Sequence, residues 1–292
     1  MNTEQTGTDS PTVSQLQATL VRSLAEAGIE SPLPEARALL THVLRLDWTG
    51  LVLAAGRRLT PAETEQLETL ARRRLAREPL QHLLGEVEWG GMRLLVSPAA
   101  LIPRPETETL LLLALANLEG LNLEGLERPQ VLDIGTGTGA LALGIRAARP
   151  DVDVTASDLS EEALALARRN AEQTGLEVRL VHSDLLENVT GRFHLIVSNP
   201  PYLPEADRQE AQPEVNHDPD LALYSGPGGL DLARRLVVQV PPHLKAGGTL
   251  LLELDPRNVG VLAAEMTATG WTVQVSSDLS GRERFLRAQR ET

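Results

Sequence analysis

The spacing of hydrophobic residues divides the chain into two parts with different periodicity. In the first part, over about residues 14–76, apolar side chains recur three or four positions apart, as Leu16, Leu20 and Leu24 do. This spacing predicts amphipathic helices. The run Thr60-Pro61-Ala62-Glu63 predicts a further helix start, because it combines an N-cap, a proline in the first turn and a glutamate that can complete a capping box. We therefore predict an N-terminal domain over residues 1–84 that forms a small all-α bundle. Its first residues, 1–11, are polar and predicted to be disordered.

The second part alternates strand-like and helix-like patterns, which predicts an α/β domain over residues 98–292. Amphipathic stretches separate the first five predicted strands, so most of the sheet should be parallel and covered by helices. Ligands bind such sheets beyond the carboxyl ends of the strands. The seven predicted strands are 130–134, 153–157, 178–182, 194–198, 249–254, 271–276 and 283–288.

Two segments fall outside this alternation. Residues 85–97 contain Gly90-Gly91 between two short apolar runs, which predicts a β-hairpin connecting the two domains. Residues 203–230 are long, polar and rich in proline and aspartate. They form either an active-site loop or a partly disordered insertion.

Composition narrows the classes of function. The chain has no cysteine and six scattered histidines, which argues against disulfides, thiolate chemistry and a metal site. Its net charge of −13 argues against stable binding of nucleic acid through phosphate contacts. There is neither an apolar run of about 18 residues nor a basic, apolar leader, so we predict a cytoplasmic protein with no membrane span.

A glycine-rich loop follows the first strand of the α/β domain, where VLDIG runs into GTGTGALAL. Glycine lets the backbone come close to a ligand before the next helix opens, so the loop is predicted to bind a cofactor. Its spacing also satisfies the dinucleotide fingerprint G-x-G-x-x-G/A and leaves two cofactors open, a dinucleotide and S-adenosylmethionine. The loop residues are Gly135, Thr136, Gly137, Thr138 and Gly139.

Three aspartates near the strand ends are candidate cofactor ligands, and the first of them favours one of the two cofactors. Asp133 lies within the strand before the loop, where its carboxylate would attract an ammonium group and repel a pyrophosphate. This favours S-adenosylmethionine. Asp158 ends the second strand and is predicted to bind the ribose hydroxyls of either cofactor. Asp184 ends the third strand, where it either accepts from the adenine amino group or is a solvated aspartate in a turn.

The run Asn199-Pro200-Pro201-Tyr202 after the fourth strand predicts a site for a planar NH₂ group. An amide nitrogen is a poor nucleophile, so two acceptors must hold its N–H bonds in a productive orientation. The side-chain oxygen of Asn199 is one acceptor, and the carbonyl of Pro200, where the proline run breaks the strand ladder, is the other. Tyr202 would offer a flat aromatic face. The structural alternative is an Asn-Pro turn with a buried tyrosine.

The loop D-x-G-x-G-x-G together with NPPY resembles the class I S-adenosylmethionine-dependent amino methyltransferases. Four other segments resemble, more narrowly, the HemK-type glutamine methyltransferases of peptide chain release factors. The resemblance covers about residues 15–290. The four segments are EPLQHLLGEVEW (78–89), VSPAALIPRPETE (96–108), EVNHDPDLALYSGPGGL (214–230) and SGRERFL (280–286).

The resemblance implies a seven-stranded, Rossmann-like class I methyltransferase domain preceded by a helical substrate-recognition domain and a hairpin. It implies transfer of a methyl group from S-adenosylmethionine to the side-chain amide of the glutamine in the Gly-Gly-Gln motif of bacterial release factors. We expect a monomer. By motif, Asp184 and Leu185 would border the adenine, Asn199 and Pro200 would grip the glutamine amide, and Pro201 and Tyr202 would shape its slot.

The chain departs from the family pattern at two places. Leu185 stands where relatives commonly carry an aromatic residue, which makes the adenine contact aliphatic. After the fifth strand, the family usually has a glutamate followed by a glycine-containing turn, and this chain has Glu253-Leu254-Asp255-Pro256 instead. We therefore assign no role to Glu253. Arg104 and Glu106 also receive no role at this stage. Three other functions stay open at this stage: methylation of a ribosomal-protein glutamine, methylation of an adenine in nucleic acid, and a non-enzymatic nucleotide-binding scaffold.

Overall fold

The computed structural model describes residues 10–120 and 128–290. The chain forms two compact units, one ending at Leu84 and the other beginning at Gly85. The prediction for the first eleven residues lies, up to residue 9, outside the described residues. No helix within the described ranges is long and apolar enough to cross a bilayer.

The first unit is the predicted helical bundle. Its core consists of apolar side chains from α1, α2 and α4, among them the fully buried Leu24, Leu39 and Leu40. Thr60 caps α4 with the predicted capping box, because the Thr60 hydroxyl and the Glu63 carboxylate each accept from the other residue's backbone N–H. Residues 10–84 form α1 (Val13–Glu26), α2 (Pro32–Leu44), α3 (Trp48–Leu53), α4 (Pro61–Leu75) and α5 (Leu80–Leu84).

Two arginines of α4 form ion pairs with glutamates of the same unit. Arg74 is buried and pairs with Glu35 of α2 at 2.5 Å. The more exposed Arg73 pairs with Glu78 just beyond the helix. The Arg74–Glu35 pair joins two helices across the core, so removing either partner would leave a charge with little access to water.

The second unit contains the hairpin and the α/β layers. The hairpin strands are β1 (Glu86–Trp89) and β2 (Met92–Leu95). The remaining elements are α6 (Pro105–Glu119), β3 (Gln130–Ile134), α7 (Ala140–Ala148), β4 (Asp153–Asp158), α8 (Glu161–Thr174), β5 (Arg179–His182), β6 (Phe193–Ser198), α9 (Asp231–Gln239), β7 (Leu244–Glu253), α10 (Val259–Ala268), β8 (Trp271–Ser277) and β9 (Glu283–Arg290).

The sheet has seven strands in the order β5-β4-β3-β6-β7-β9-β8. Strands β3 to β7 are parallel, and β9 runs antiparallel to its neighbours β7 and β8. Alternate residues of β3 face opposite sides, with Leu132 in one buried cluster and Val131 in the other. This confirms the predicted α/β class with a mostly parallel, seven-stranded sheet. Strand β7 starts five residues before the predicted position 249, and its pairing with β6 shifts register in that added part.

The hairpin is integrated into the α/β unit. Trp89 is buried in the same core as residues of α6 and α7. Asn170 of α8 binds the β2 backbone on both sides, accepting from Leu95 N at 2.7 Å and donating to Leu95 O at 3.0 Å. The segment predicted as a connector therefore packs as part of this unit, because Trp89 contacts its core and Asn170 binds the backbone at the edge of β2.

Candidate functional site

Two cavities lie at the carboxyl ends of β3, β4 and β6, and they share Asn199 and Pro200 in their walls. The second cavity is lined by Leu101, Arg104, Glu106, Tyr202, Leu203 and Arg284, among others. The structure brings most of the predicted site residues together in the first cavity. These are Asp133, Gly135, Thr136, Gly137, Thr138, Asp158, Asp184, Leu185, Asn199, Pro200 and Pro201. Gly139 and Tyr202 do not line it.

The glycine loop forms one wall of the first cavity. Gly135 and Gly137 adopt left-handed conformations with φ of 69° and 56°, which favour glycine. A Cβ at Gly135 would meet no protein atom within 4 Å, so open space lies beside this backbone. Gly139, with φ of 85°, caps the start of α7, where a Cβ would lie 3.3 Å from the side chain of Ala167. Gly139 therefore serves helix packing and not the cavity wall.

Asp133 lies at the floor of the first cavity and is almost fully buried. Its Oδ2 accepts from the Thr136 hydroxyl at 2.6 Å and from Ala142 N at 3.2 Å. Its Oδ1 is buried and has no hydrogen-bond partner among the described residues. Burial raises the pKa of Asp133 to about 7, against the effect of both hydrogen bonds. A cationic group placed at Oδ1 would satisfy this oxygen and favour the ionised form.

Asp158 holds the glycine loop from the end of β4. Its Oδ2 accepts from Gly137 N at 2.9 Å, and its Oδ1 accepts from Ser160 N at 2.9 Å. Burial raises the pKa of its carboxyl group. Each oxygen retains a second lone pair for a hydroxyl ligand. Ser160 caps α8 by accepting from Ala163 N, so Asp158 is not needed for that purpose.

The residues after β5 line the far side of the first cavity. Asp184 is paired with Arg235 of α9 at 2.8 Å, a partner that the sequence did not indicate. Leu185 is buried and has a φ of 51°, an uncommon conformation for a residue with a side chain. Such backbone strain is concentrated at ligand sites, where the surrounding structure maintains it.

The NPPY run begins where β6 ends. Asn199 Nδ2 donates to the Thr107 hydroxyl at 3.1 Å, whereas Asn199 Oδ1 is buried with no partner among the described residues. Tyr202 lines the second cavity and packs against the buried cluster that contains Leu132. Burial raises the pKa of Tyr202 to about 12, so its phenol stays neutral.

The PRPETE motif, to which the sequence assigned no roles, connects several parts of the site. Arg104 Nη2 pairs with the buried Asp218 at 3.2 Å, and its backbone oxygen accepts from Trp89 Nε1 at 2.9 Å. Burial raises the pKa of Asp218, and Arg104 opposes that rise. Thr107 of the same motif holds Asn199. The clustering of these residues in one short motif was the available signal, but their partners are distant in sequence.

The segment 203–230 is an ordered wall of both cavities. It contains short 3₁₀ helices at Glu205–Gln209, Pro213–His217 and Asp220–Ala222. Leu203 N donates to Leu223 O, and Ser225 N donates to Leu203 O, each at 2.9 Å. Of the two possibilities left open by the sequence, the structure shows the loop that lines the site.

The charges around the first cavity favour a cationic ligand group over a pyrophosphate. Of the charged residues in its wall, Asp133, Asp158, Glu162 and Asp184 are acidic, and Arg104 and Arg235 are basic. Both arginines are already paired with carboxylates. The wall therefore lacks an uncommitted guanidinium for a phosphate among its described residues.

Comparisons with known proteins agree with this geometry. The family model of the PrmC N-terminal domain matches residues 15–85, and the model of the methyltransferase small domain matches residues 109–217. The release factor glutamine methyltransferase of Deinococcus radiodurans is 57% identical over 267 residues, covering 91% of this chain and 94% of the relative. The protein of the same name from Chlorobaculum tepidum is 37% identical, covering 94% of this chain and 96% of the relative.

A solved structure shares the fold at low identity. The catalytic domain of human Mettl16, solved in complex with an RNA hairpin, has a TM-score of 0.54 and is 16% identical. The match covers 79% of this chain and 82% of that chain. At this identity the likeness concerns the fold alone.

Proposed function

The chain belongs to the release factor glutamine methyltransferases, and on that premise we propose that it methylates the glutamine of the Gly-Gly-Gln motif in peptide chain release factors. The methyl group comes from S-adenosylmethionine, and the acceptor is the side-chain amide nitrogen. The observation that carries the proposal is the buried, unpartnered Asn199 Oδ1 beside Pro200, in the wall that the two cavities share.

The first cavity fits S-adenosylmethionine. The unpartnered Oδ1 of Asp133 suits the ammonium of the amino-acid moiety, and the open space beside Gly135 leaves room for close approach. When bound, S-adenosylmethionine supplies a methyl group on a sulfonium centre. Asp158 would accept from the ribose hydroxyls, and Leu185 would pack on the adenine. Asp184 would accept from the adenine amino group while keeping its pair with Arg235.

The second cavity is the entrance for the glutamine. Asn199 Oδ1 and the Pro200 carbonyl would each accept one N–H of the substrate amide, which turns the nitrogen lone pair toward the methyl group. Tyr202 and Pro201 would bound the slot on either side. The nitrogen becomes cationic during transfer, and its proton can then leave, so no strong base is needed beforehand.

The proposal also covers substrate recognition, oligomeric state and cellular location. The proposed chemistry lies within the α/β unit, so we assign recognition of the protein substrate to the helical unit. The net charge of −13 supports action on protein and not stable binding to nucleic acid. We also propose that the protein works as a monomer in the cytoplasm, where release factors act.

The test is methyl transfer from radiolabelled S-adenosylmethionine to purified, unmethylated release factor, beside a factor whose Gly-Gly-Gln glutamine is replaced. Label should enter only the unchanged factor. Asn199→Ala should lower turnover on the order of a hundredfold and leave cofactor affinity within a few-fold. The exposed Asn188, outside both cavity walls, supplies the matched control Asn188→Ala. Label on the substituted factor, or full activity of Asn199→Ala, would contradict the proposal.

A further inference from the structure

Two buried residues beside Asn199 have no part in the reaction described above. Thr107 lies in the first turn of α6, and Glu253 is the last residue of β7. Both are at most 5% exposed. Thr107 is in direct contact with Asn199, since its hydroxyl oxygen lies 3.1 Å from Asn199 Nδ2. Glu253 lies beside Asn199, because β7 pairs with β6 in a register that sets Leu252 opposite Ser198. Thr107 also lines the first cavity.

The contact between Thr107 and Asn199 does not by itself set the direction of the amide. A threonine hydroxyl can donate one hydrogen bond or accept others, so it suits either end of an asparagine side chain. Only one direction is useful for the reaction. With the oxygen toward the substrate, Asn199 accepts an N–H of the glutamine, whereas the flipped amide would set its own N–H groups against those of the glutamine.

Glu253 supplies the missing asymmetry. An ionised carboxylate only accepts, so it draws the single proton of the neighbouring Thr107 hydroxyl toward itself. Thr107 then has only lone pairs to offer Asn199. The strand register sets Glu253 beside Asn199, the residue that Thr107 contacts, and both Glu253 oxygens are buried without a partner among the described residues. The Thr107 hydroxyl lowers the pKa of Glu253. Burial outweighs this effect and raises the pKa of Glu253 to about 7.

Charged and titratable groups face Glu253 from three sides. Arg284 approaches from β9, Arg104 and Glu106 from the start of α6, and Tyr202 from the segment after β6. The two arginines favour the carboxylate, and Glu106 opposes it. Neither arginine donates a hydrogen bond to Glu253, whose two oxygens remain unpartnered among the described residues. Both oxygens are thus available to the Thr107 hydroxyl.

Resting on the function proposed above, we propose that Thr107 and Glu253 are positioning residues that hold Asn199 Oδ1 toward the substrate amide. Ionised Glu253 takes the Thr107 proton, Thr107 accepts from Asn199 Nδ2, and the amide is locked in the productive direction. Thr107 lines the first cavity and Glu253 lines neither cavity, but neither residue is assigned a part in holding the substrate amide or the methyl donor. Both act through Asn199, so their effect should vanish when Asn199 is absent.

The test compares Thr107→Val with Thr107→Ser, each in the native protein and in Asn199→Ala. Valine keeps the shape of threonine and removes the hydroxyl, whereas serine keeps the hydroxyl. Thr107→Val should lower kcat about tenfold or more with the KM for S-adenosylmethionine within about twofold, and Thr107→Ser should stay within a few-fold of native activity. In Asn199→Ala, Thr107→Val should cost less than about twofold, because coupled residues are not additive.

The proposal is overturned if Thr107→Val reduces kcat by the same factor with and without Asn199, or if Thr107→Ser loses as much activity as Thr107→Val. Melting temperatures of all variants identify a folding defect, and Thr107→Ala then replaces the valine variant. Failure of the proposed function looks different, because the native protein itself would transfer no label to the release factor.

Discussion

Replacing Asp133 by asparagine should stabilise the ligand-free protein at alkaline pH and at the same time weaken the binding of S-adenosylmethionine. The Asp133 carboxyl group is buried, and its Oδ1 has no partner. Asparagine has nearly the same shape, and its carbonyl oxygen can keep the hydrogen bonds from Thr136 and Ala142. The substitution therefore removes a buried charge without opening a cavity, and it removes the acceptor that would hold an ammonium group.

The magnitude follows from the raised pKa. The folded protein binds the Asp133 proton more tightly than the unfolded chain, with a pKa of about 7 against 3.8. The stability contributed by protonation is therefore complete below pH 3.8 and is lost as the pH rises through about 7. At about 1.4 kcal/mol per pKa unit, the charge costs roughly 2 kcal/mol at pH 5 and roughly 4 kcal/mol at pH 8. The advantage of Asp133→Asn should grow by roughly 2 to 3 kcal/mol over that interval.

Urea unfolding followed by tryptophan fluorescence can measure this difference in the α/β unit alone. Trp89 and Trp271 are both buried there, and Trp48 lies in the helical unit. A Trp48→Phe background therefore restricts the signal to the unit that carries Asp133. Comparing the two proteins at each pH cancels the titration of all other groups. Calorimetric titration with S-adenosylmethionine measures the accompanying loss of affinity.

Two results would refute this reasoning. A difference in the free energy of unfolding that is equal at pH 5 and pH 8 would mean that Asp133 does not titrate as its burial implies. Unchanged affinity of Asp133→Asn for S-adenosylmethionine would mean that Oδ1 does not hold the ammonium group. The second outcome would remove Asp133 from the proposed cofactor site.

Three further predictions concern other parts of the molecule. Gly229→Ala should abolish most methyl transfer, because its Cβ would lie 2.2 Å from Tyr202 O and because the residue has a φ of 73°. Gly228→Ala is the control, since its Cβ would meet nothing within 4 Å. Equal activities of the two variants would contradict the expected clash with Tyr202. At saturating S-adenosylmethionine, the transfer rate should fall as the pH drops below about 7, where Glu253 gains a proton and no longer accepts from Thr107. Glu253→Gln, which cannot titrate, should abolish this fall in rate at low pH. A transfer rate of the native protein that does not change between pH 6 and 8 would exclude the mechanism. Arg74→Met should destabilise the helical unit by about 3 kcal/mol, measured by Trp48 fluorescence, because it leaves Glu35 without its buried partner. The more exposed Arg73→Met should cost less than about 1 kcal/mol, and equal losses would show that the buried pair has no special weight.

The elements of the fold and the chemical character of the site could be predicted from local sequence patterns. The strand predicted at 130–134 forms as β3 over Gln130–Ile134, and Gly135 and Gly137 adopt the left-handed conformations that glycine-rich turns favour. Asn199 and Pro200 follow β6 as the proline run predicts. These features depend on residues close together in the chain, where periodicity and backbone sterics act directly.

The side chains that complete the site could be identified only from the folded chain. Thr107 and Asn199 are 92 residues apart, and Arg104 and Asp218 are 114 apart. Thr107, Asn199 and Arg104 line the cavities, and Asp218 pairs with Arg104. The sheet order places β6 between β3 and β7, which brings Glu253 at the end of β7 beside the end of β6. No local pattern encodes such pairings, because they depend on strand register and on how α6 and the 203–230 loop pack over the strand ends. The orientation of one asparagine amide is thus set by residues that sequence spacing could not connect.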